Sequence, residues 1–345
     1  MKKIYFTIVL ALTLLPILAQ NQLTINEGKT VFVYSLPKTA FCFEVEIEKV
    51  TQTPGIFYQY AQRYLATSDV ITEEKTVYVL KNISLRTQTI ADENRTYQME
   101  VGNSANFLTL NRQGILCGVN VPLTEKKIIE KRIIKNEEIN LPSGSLLPLG
   151  EEFMMAGSTA KLAEGAAKQI YRIRESRMML LGGDMENQPS DGKALTTMLE
   201  GLNKTENQLT SLFVGNTKVE TQTQIVRIVP EAAIQNKVLF RISSLRGLVD
   251  VNDLGGAPYY INFFTNEIKT QPRDPKVKPE NPAIFTILPA DTKIQITDGV
   301  KVLLEKEIQV PQFGVVIPVS EKIFNIRNLK ISIDSETGRI LSIEK

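Results

Sequence analysis

Apolar and polar residues alternate strictly along the segment from Phe41 to Glu48. An alternation with a period of two residues predicts a β-strand that buries one of its faces. The residues expected on the buried face are Phe41, Phe43, Val45 and Ile47. The opposite face would carry Cys42, Glu44, Glu46 and Glu48, a row that favours a solvated strand face over a cation site.

Residues 20–121 are predicted to form an N-terminal β-rich domain. β-branched and aromatic residues, together with turn residues between them, favour several strands in this region. These strands are expected at 30–34, 41–49, 75–80, 107–110 and 115–117, the last two flanking a hairpin turn at 111–114. One helix at 56–65 interrupts the strands, because apolar residues share one helical face there: Phe57, Tyr60, Ala61, Tyr64 and Leu65.

An antiparallel helical hairpin is predicted at 149–216. Its first helix is expected to start at about Glu151 or Ser158 and to end at Leu181, before Gly182–Gly183. Its second helix is expected to begin near Ser190 or Asp191 and to end at Gly215. The first helix has an apolar stripe at Leu162, Ala166, Ile170 and Ile173, and the second at Leu195, Met198, Leu202, Leu209 and Phe213. Small residues would allow another element to approach the first helix closely: Ala160, Ala163, Gly165, Ala166 and Ala167.

The remaining segments are a connector at 122–148, which is charged and contains Pro and Gly, and a C-terminal β-rich region at 217–345. A proline-rich linker near 266–282 divides that region, which ends in a hairpin around a turn at 335–338. The predicted fold class is therefore α+β: a β-rich N-terminal domain, a central antiparallel helical hairpin and a β-rich C-terminal region.

The first 19 residues have the pattern of a cleavable signal peptide. Lys2 and Lys3 precede an apolar run that ends at Leu18, and the small residue Ala19 follows. This run is shorter than the roughly 20 apolar residues that span a bilayer. We therefore expect a mature chain that begins near Gln20, is exported to the periplasm or cell envelope, and has no transmembrane anchor.

Composition excludes several kinds of chemistry. The chain contains no histidine, which rules out Ser-His-Asp and Cys-His triads as well as His-ligated zinc. Its net charge is +2, and loss of Lys2 and Lys3 with the signal peptide leaves the mature chain neutral. A neutral chain has no long-range field that would attract nucleic acid, so nucleic acid is not expected as a partner. We expect no cofactor and no metal.

The two cysteines leave two interpretations open. In an exported chain, Cys42 and Cys117 are candidates for one disulfide. However, Cys42 shares a predicted strand face with three glutamates, whereas Cys117 follows Ile115 and Leu116 in a more apolar setting. Two separate thiols fit that difference equally well.

Several segments resemble DUF4831, a family of exported bacterial proteins of unknown function. The resemblance is carried by 34–39 (YSLPKT), 54–65 (PGIFYQYAQRYL), 158–164 (STAKLAE) and 170–176 (IYRIRES), which occur in the family's order. It covers essentially the whole mature chain. It implies the exported location and the same arrangement of domains, and it implies no activity.

Ser158 and Lys161 are candidates for a catalytic pair. A Ser-x-x-Lys sequence at the start of a helix places the hydroxyl and the amine one turn apart, as in penicillin-recognising enzymes. No Lys-Thr-Gly sequence accompanies it, so the pattern favours Ser158 as a helix cap and Lys161 as a solvated side chain. Asp250–Gly256 likewise resembles a calcium loop, but Leu254 and Ile261 occupy ligand positions, which favours a turn.

The sequence thus predicts an exported envelope protein that binds or scaffolds another macromolecule, another envelope protein being the expected partner. The alternative is a histidine-free hydrolase or acyltransferase that acts on cell-wall or glycan material. Converging carboxylates in a cleft would favour the enzyme. An exposed apolar surface on the helical hairpin or at a sheet edge would favour the binding protein.

Overall fold

The computed structural model describes residues 24–26, 29–101, 107–123, 157–182, 191–266, 268 and 282–345. The predicted signal peptide and most of the predicted connector and linker lie outside these residues. Within them the chain is β-rich with a helical hairpin in the middle, which confirms the predicted α+β class.

The strands are β1 (Thr24–Asn26), β2 (Lys29–Thr53), β3 (Lys75–Val101), β4 (Leu108–Leu110), β5 (Leu116–Val119), β6 (Asn216–Ile228), β7 (Lys237–Ser243), β8 (Gly247–Val249), β9 (Ala257–Thr265), β10 (Pro282–Thr297), β11 (Val302–Ser320), β12 (Lys330–Ile333) and β13 (Ile340–Glu344). The helices are α1 (Ala61–Leu65), α2 (Thr159–Gly182) and α3 (Gly192–Val214), with 3-10 turns at Tyr58–Tyr60 and Glu321–Asn325.

These strands form three sheets, and every pairing between named strands is antiparallel. In sheet 1, β2 lies between β3 on one side and β1 and β6 on the other. Sheet 2 has the order β11-β10-β9-β7-β8, and sheet 3 has the order β13-β12-β5-β4. Because β2 pairs with β6 and β5 pairs with β12, sheets 1 and 3 each combine strands that precede the helical hairpin with strands that follow it.

Two hydrophobic cores lie between the sheets. In the first core, sheet 1 packs on sheet 2, and the predicted inward-facing residues of β2 are all buried there: Phe41, Phe43, Val45 and Ile47. In the second core, sheet 3 packs on the beginning of β2, the end of β3 and the outer ends of β10 and β11. The two long hairpins, β2–β3 and β10–β11, therefore run through both cores.

Each long hairpin is irregular where it passes from one core to the other, a region that we call the waist. On β3, the residues between Asp92 and Thr96 bulge, because Ser35 pairs with Thr96 and Leu36 pairs with Asp92. On β11, Pro311–Gly314 bulge between the partners of Leu288 and Ala290. Such bulges bend a strand and strengthen its local twist, which lets one hairpin contribute to two cores.

A third core joins the helical hairpin to the segment between β2 and β3. Phe57 and Ala61 pack with Phe213 of α3 and with Ala163, Ala166, Ala167, Ile170 and Ile173 of α2. The backbone of Phe57 donates to the carbonyl of Leu212 at 2.7 Å, and that of Ile71 donates to Val214 at 2.9 Å. The helical hairpin is therefore fixed at its base by the loop that links β2 to β3.

Candidate partner-binding helical hairpin

The base of α2 is covered by α1. The hydroxyl of Tyr64 donates to the carbonyl of Ala160 at 3.4 Å, and the hydroxyl of Tyr171 donates to the carbonyl of Tyr64 at 2.9 Å. Between these two contacts, Ala163 is fully buried and Ala167 is nearly so. Small side chains thus permit the close approach that the sequence predicted for this helix.

The face of α2 that α1 covers continues beyond the end of α1. Helix α1 ends at Leu65, and Ala66 turns the chain away in the left-handed conformation with φ 52°. Further along α2, helical spacing from Ala163 and Ala167 leads to Tyr171, Arg174, Met178 and Leu181. We call the three apolar side chains of this row, Tyr171, Met178 and Leu181, the distal stripe. These side chains are 49%, 72% and 65% exposed. The apolar face, which Arg174 interrupts once, is therefore longer than the element that covers it.

A buried carboxylate holds the two helices together beside the distal stripe. Glu206 of α3 is 8% exposed and accepts hydrogen bonds from Arg174 Nε at 2.7 Å and Arg177 Nη1 at 2.6 Å. Arg177 also donates to Asn203 Oδ1 at 2.8 Å. Removing one partner of a buried ion pair leaves an uncompensated charge, so this cluster favours one arrangement of the helices.

The same cluster contacts the distal stripe at Tyr171. The guanidinium carbon of Arg174 lies 5.7 Å from the ring centroid of Tyr171, within the range of a cation–π contact.

The two ends of α3 are capped. At the start of α3, the side chain of Asp191 accepts a hydrogen bond from the backbone N–H of Lys193 at 3.1 Å, and Gly215 ends the helix with φ 91°. Both helix ends agree with the predicted ones, whereas Glu206 and the distal stripe were not identified from the sequence.

Ser158 and Lys161 lie at the exposed start of α2. Ser158 Oγ accepts a hydrogen bond from the backbone N–H of Lys161 at 3.4 Å, which is the geometry of a helix N-cap. Both side chains are exposed. This contact joins the hydroxyl to the Lys161 backbone, and the hydroxyl is therefore positioned to cap the helix.

Substitutions at Ser158 distinguish a cap from a nucleophile. We expect Ser158→Ala to lower the free energy of unfolding by about 1 kcal/mol, because the first-turn N–H groups lose an acceptor. Ser158→Asp should be nearly neutral, since a carboxylate caps equally well. Urea unfolding measures both, and a fluorescent penicillin or fluorophosphonate should not label the wild-type protein. Stoichiometric labelling that disappears in folded Ser158→Asp and Lys161→Ala would contradict the cap.

Cys42 and Cys117 are free cysteines in the structure and lie in different sheets. Cys42 is opposite Arg86 on β3 and Arg227 on β6. The thiol of Cys117 donates to the carbonyl of Ile115 at 3.4 Å, and burial raises its pKa above the usual value. The structure thus contains the second of the two arrangements considered for these cysteines, two separate thiols.

Two glutamates of the β2 row, Glu44 and Glu48, pair with side chains of β3. Arg86 Nε lies 2.8 Å from Glu44 Oε1, and Ser84 Oγ donates to Glu44 Oε2 at 3.2 Å. Lys81 Nζ lies 2.9 Å from Glu48 Oε1. Such cross-strand pairs stabilise a sheet by modest amounts, so this row acts as part of a polar sheet surface.

Asp250–Gly256 forms turns held by its own side chains. Asp250 accepts from the backbone of Asn252 at 2.8 Å, and Asp253 accepts from Gly255 at 2.9 Å. The hydrogen bond from the Gly255 N–H lowers the pKa of the Asp253 carboxyl. The guanidinium of Arg246, 2.7 Å from this carboxyl, also lowers its pKa, to a smaller extent. In the part of the chain that the structure describes, no cluster of three potential metal ligands occurs.

The family described as "Domain of unknown function (DUF4831)" matches residues 30–341, and the chain belongs to this family. None of the curated proteins and none of the solved structures matches the chain. Among the described helices, none combines the length and the apolar character needed to cross a membrane.

Proposed function

We propose that the chain is an exported protein of the cell envelope that binds or scaffolds another envelope protein and has no enzymatic activity. The observation that carries this proposal is the distal stripe, an apolar helix face that extends past its intramolecular cover. Export is supported by the basic, apolar and small-residue pattern of residues 1–19.

The distal stripe has the properties of a protein-binding surface. Burying a large apolar side chain contributes about 1.5–3 kcal/mol, so three such side chains supply a useful part of a binding free energy. An amphipathic helix can dock against such a face in the way that α1 docks against Ala163 and Ala167. The ion pairs of Glu206 hold the two helices in place before binding, which lowers the entropic cost of association.

Site-specific photocrosslinking in intact cells tests this function. A photoreactive amino acid at Met178 should capture a defined envelope protein. The same group at Thr197, which is exposed on α3, should not capture it. With the photoreactive group at position 171 in place of Tyr171, Met178→Glu and Leu181→Glu should each abolish capture. Each should change the free energy of unfolding by no more than about 0.5 kcal/mol, because both side chains are exposed.

Two results would contradict the proposal. Equal capture from Met178 and Thr197 would remove the role of the distal stripe. N-terminal sequencing of this chain isolated from the cells that still finds Met1, instead of a start near Gln20, would contradict export.

A further inference from the structure

The β6 strand presents a long backbone edge. It pairs antiparallel with β2 over all 13 of its residues, without a register shift. Within the described residues, β2 is the only strand that pairs with β6. Proteins usually protect an edge strand with a proline, a bulge or inward charges. None of the 13 residues is a proline, and the stretch from Thr221 to Ile225 is uncharged.

Two exposed apolar side chains mark the outward face of this strand. Val219 is 53% exposed and Ile225 is 58% exposed, and both lie on the side of sheet 1 opposite the first core. Thr221 and Thr223 lie between them on the same face. The outward face of β6 thus reads Val-Thr-Thr-Ile, a β-branched pattern that fits cross-strand packing.

This pattern is complementary to itself in one antiparallel register. When two β6 strands pair with Gln222 opposite its own copy, Val219 lies opposite Ile225 and Thr221 lies opposite Thr223. Directly opposed residues of antiparallel strands share a face, so the two outward faces remain continuous.

The charged residues of β6 are compatible with the same register. Lys218 falls opposite Val226, Glu220 falls opposite Gln224, and Arg227 falls opposite Thr217. No two like charges are directly opposed. The register also uses the whole strand, because Gln222 is the middle residue of Asn216–Ile228.

We propose that β6 is a homodimer interface, in which it pairs with β6 of a second copy about a two-fold axis at Gln222. The pairing joins the two copies of sheet 1 into one continuous sheet. Asn216 follows α3 directly after Gly215, and in this register it lies opposite Ile228 of the second copy. At roughly 3.4 Å per residue, the two helical hairpins are attached about 40 Å apart, at opposite ends of the shared strands.

Sedimentation equilibrium of the mature chain tests the interface and its register. We expect the wild-type protein to dimerise, and Gln222→Lys to weaken the dimer at least ten-fold, because each new lysine faces its own copy. Gln224→Lys is the matched control: it adds the same charge two residues away on the same face, but opposite Glu220. It should leave the dimer unchanged or strengthen it.

A mixing experiment separates loss of the interface from loss of the fold. An equimolar mixture of Gln222→Lys and Gln222→Glu should form a heterodimer at least as stable as the wild-type dimer, with circular dichroism unchanged in both variants. A wild-type protein that remains monomeric at the highest protein concentration that sedimentation equilibrium can measure would overturn the proposal. Equal weakening by Gln222→Lys and Gln224→Lys, or a mixture that stays monomeric, would overturn the register.

Discussion

Phe41→Ala should lower the free energy of unfolding by about 3–5 kcal/mol, the usual cost of removing a fully buried aromatic ring. Phe41 has no exposed surface, and its ring centroid lies 5.0 Å from that of Phe263 across the first core. Phe263 contacts Phe313 in turn, with centroids 5.9 Å apart. The substitution therefore opens a cavity between sheets 1 and 2 that neighbouring rigid rings cannot fill.

Cys42→Ala is the control on the same strand. Cys42 is only half-buried and lies on the opposite face of β2, so we expect a loss of no more than about 1 kcal/mol. Urea unfolding followed by circular dichroism measures both variants. A one-residue shift in register would exchange the faces of the two residues. Equal losses would therefore show that the assigned face of β2 is wrong.

Local patterns in the sequence predicted which faces are buried and where several elements end. The alternation from Phe41 to Ile47 identified the core face, because β2 packs on the core with one side only. The helix ends were visible because Asp191 and Gly215 have side-chain and backbone properties that suit caps. Gly338 likewise marks the final hairpin turn, where its φ of 73° favours glycine.

Only the first six residues of β3, 75–80, were predicted as a strand, and 81–101 were not. Polar and charged residues with low β-propensity fill this stretch, including Asn82, Arg86, Asp92 and Asn94. These residues are extended because β2 pairs with β3 nearly throughout its length. Long-range pairing thus overrides a weak local preference. For the same reason 30–34 and 41–49, predicted as separate strands, belong to the single strand β2.

Strand partners could not be read from the pattern. A period of two residues identifies a face but contains no information about the neighbouring strand. The pairing of Phe41 with Ile228 and that of Val119 with Ile331 join segments more than 180 residues apart.

The candidate binding surface on α2 could not be predicted from the sequence, also because it depends on another part of the chain. Met178 and Leu181 fit a helix stripe in the sequence, but their exposure follows from where α1 ends, at Leu65.

At the waist, the side-chain amide of Gln312 pairs with the β2 backbone where β6 no longer does. Strand β6 ends opposite Phe41, so the backbone of Thr39 on β2 lies beyond it. The side chain of Gln312, 6% exposed, pairs with that backbone: Thr39 N donates to Gln312 Oε1 and Gln312 Nε2 donates to Thr39 O, both at 2.9 Å. Arg95 then donates to the carbonyls of Pro311 and Gln312, at 3.3 and 3.1 Å. The two bulges are thereby joined.

Gln312→Ala should lower the free energy of unfolding by about 3 kcal/mol, because it leaves two buried backbone groups of Thr39 without partners. Gln309→Ala, at an exposed position on the same strand, should cost no more than about 0.5 kcal/mol. Urea midpoints compare the two. Equal effects would show that water replaces the Gln312 amide and that the waist is not held by this pairing.

Gln312→Glu adds a pH dependence with a definite sign. A carboxylate can still accept from Thr39 N–H, but it faces the carbonyls of Thr39 and Pro230 and cannot donate to them. Burial next to these oxygens should raise its folded-state pKa above the unfolded value of about 4.3. The stability deficit relative to the wild-type protein is therefore small below that pH and grows as the pH rises toward neutrality. A deficit that does not change between pH 4 and pH 7 would contradict a buried position for this side chain.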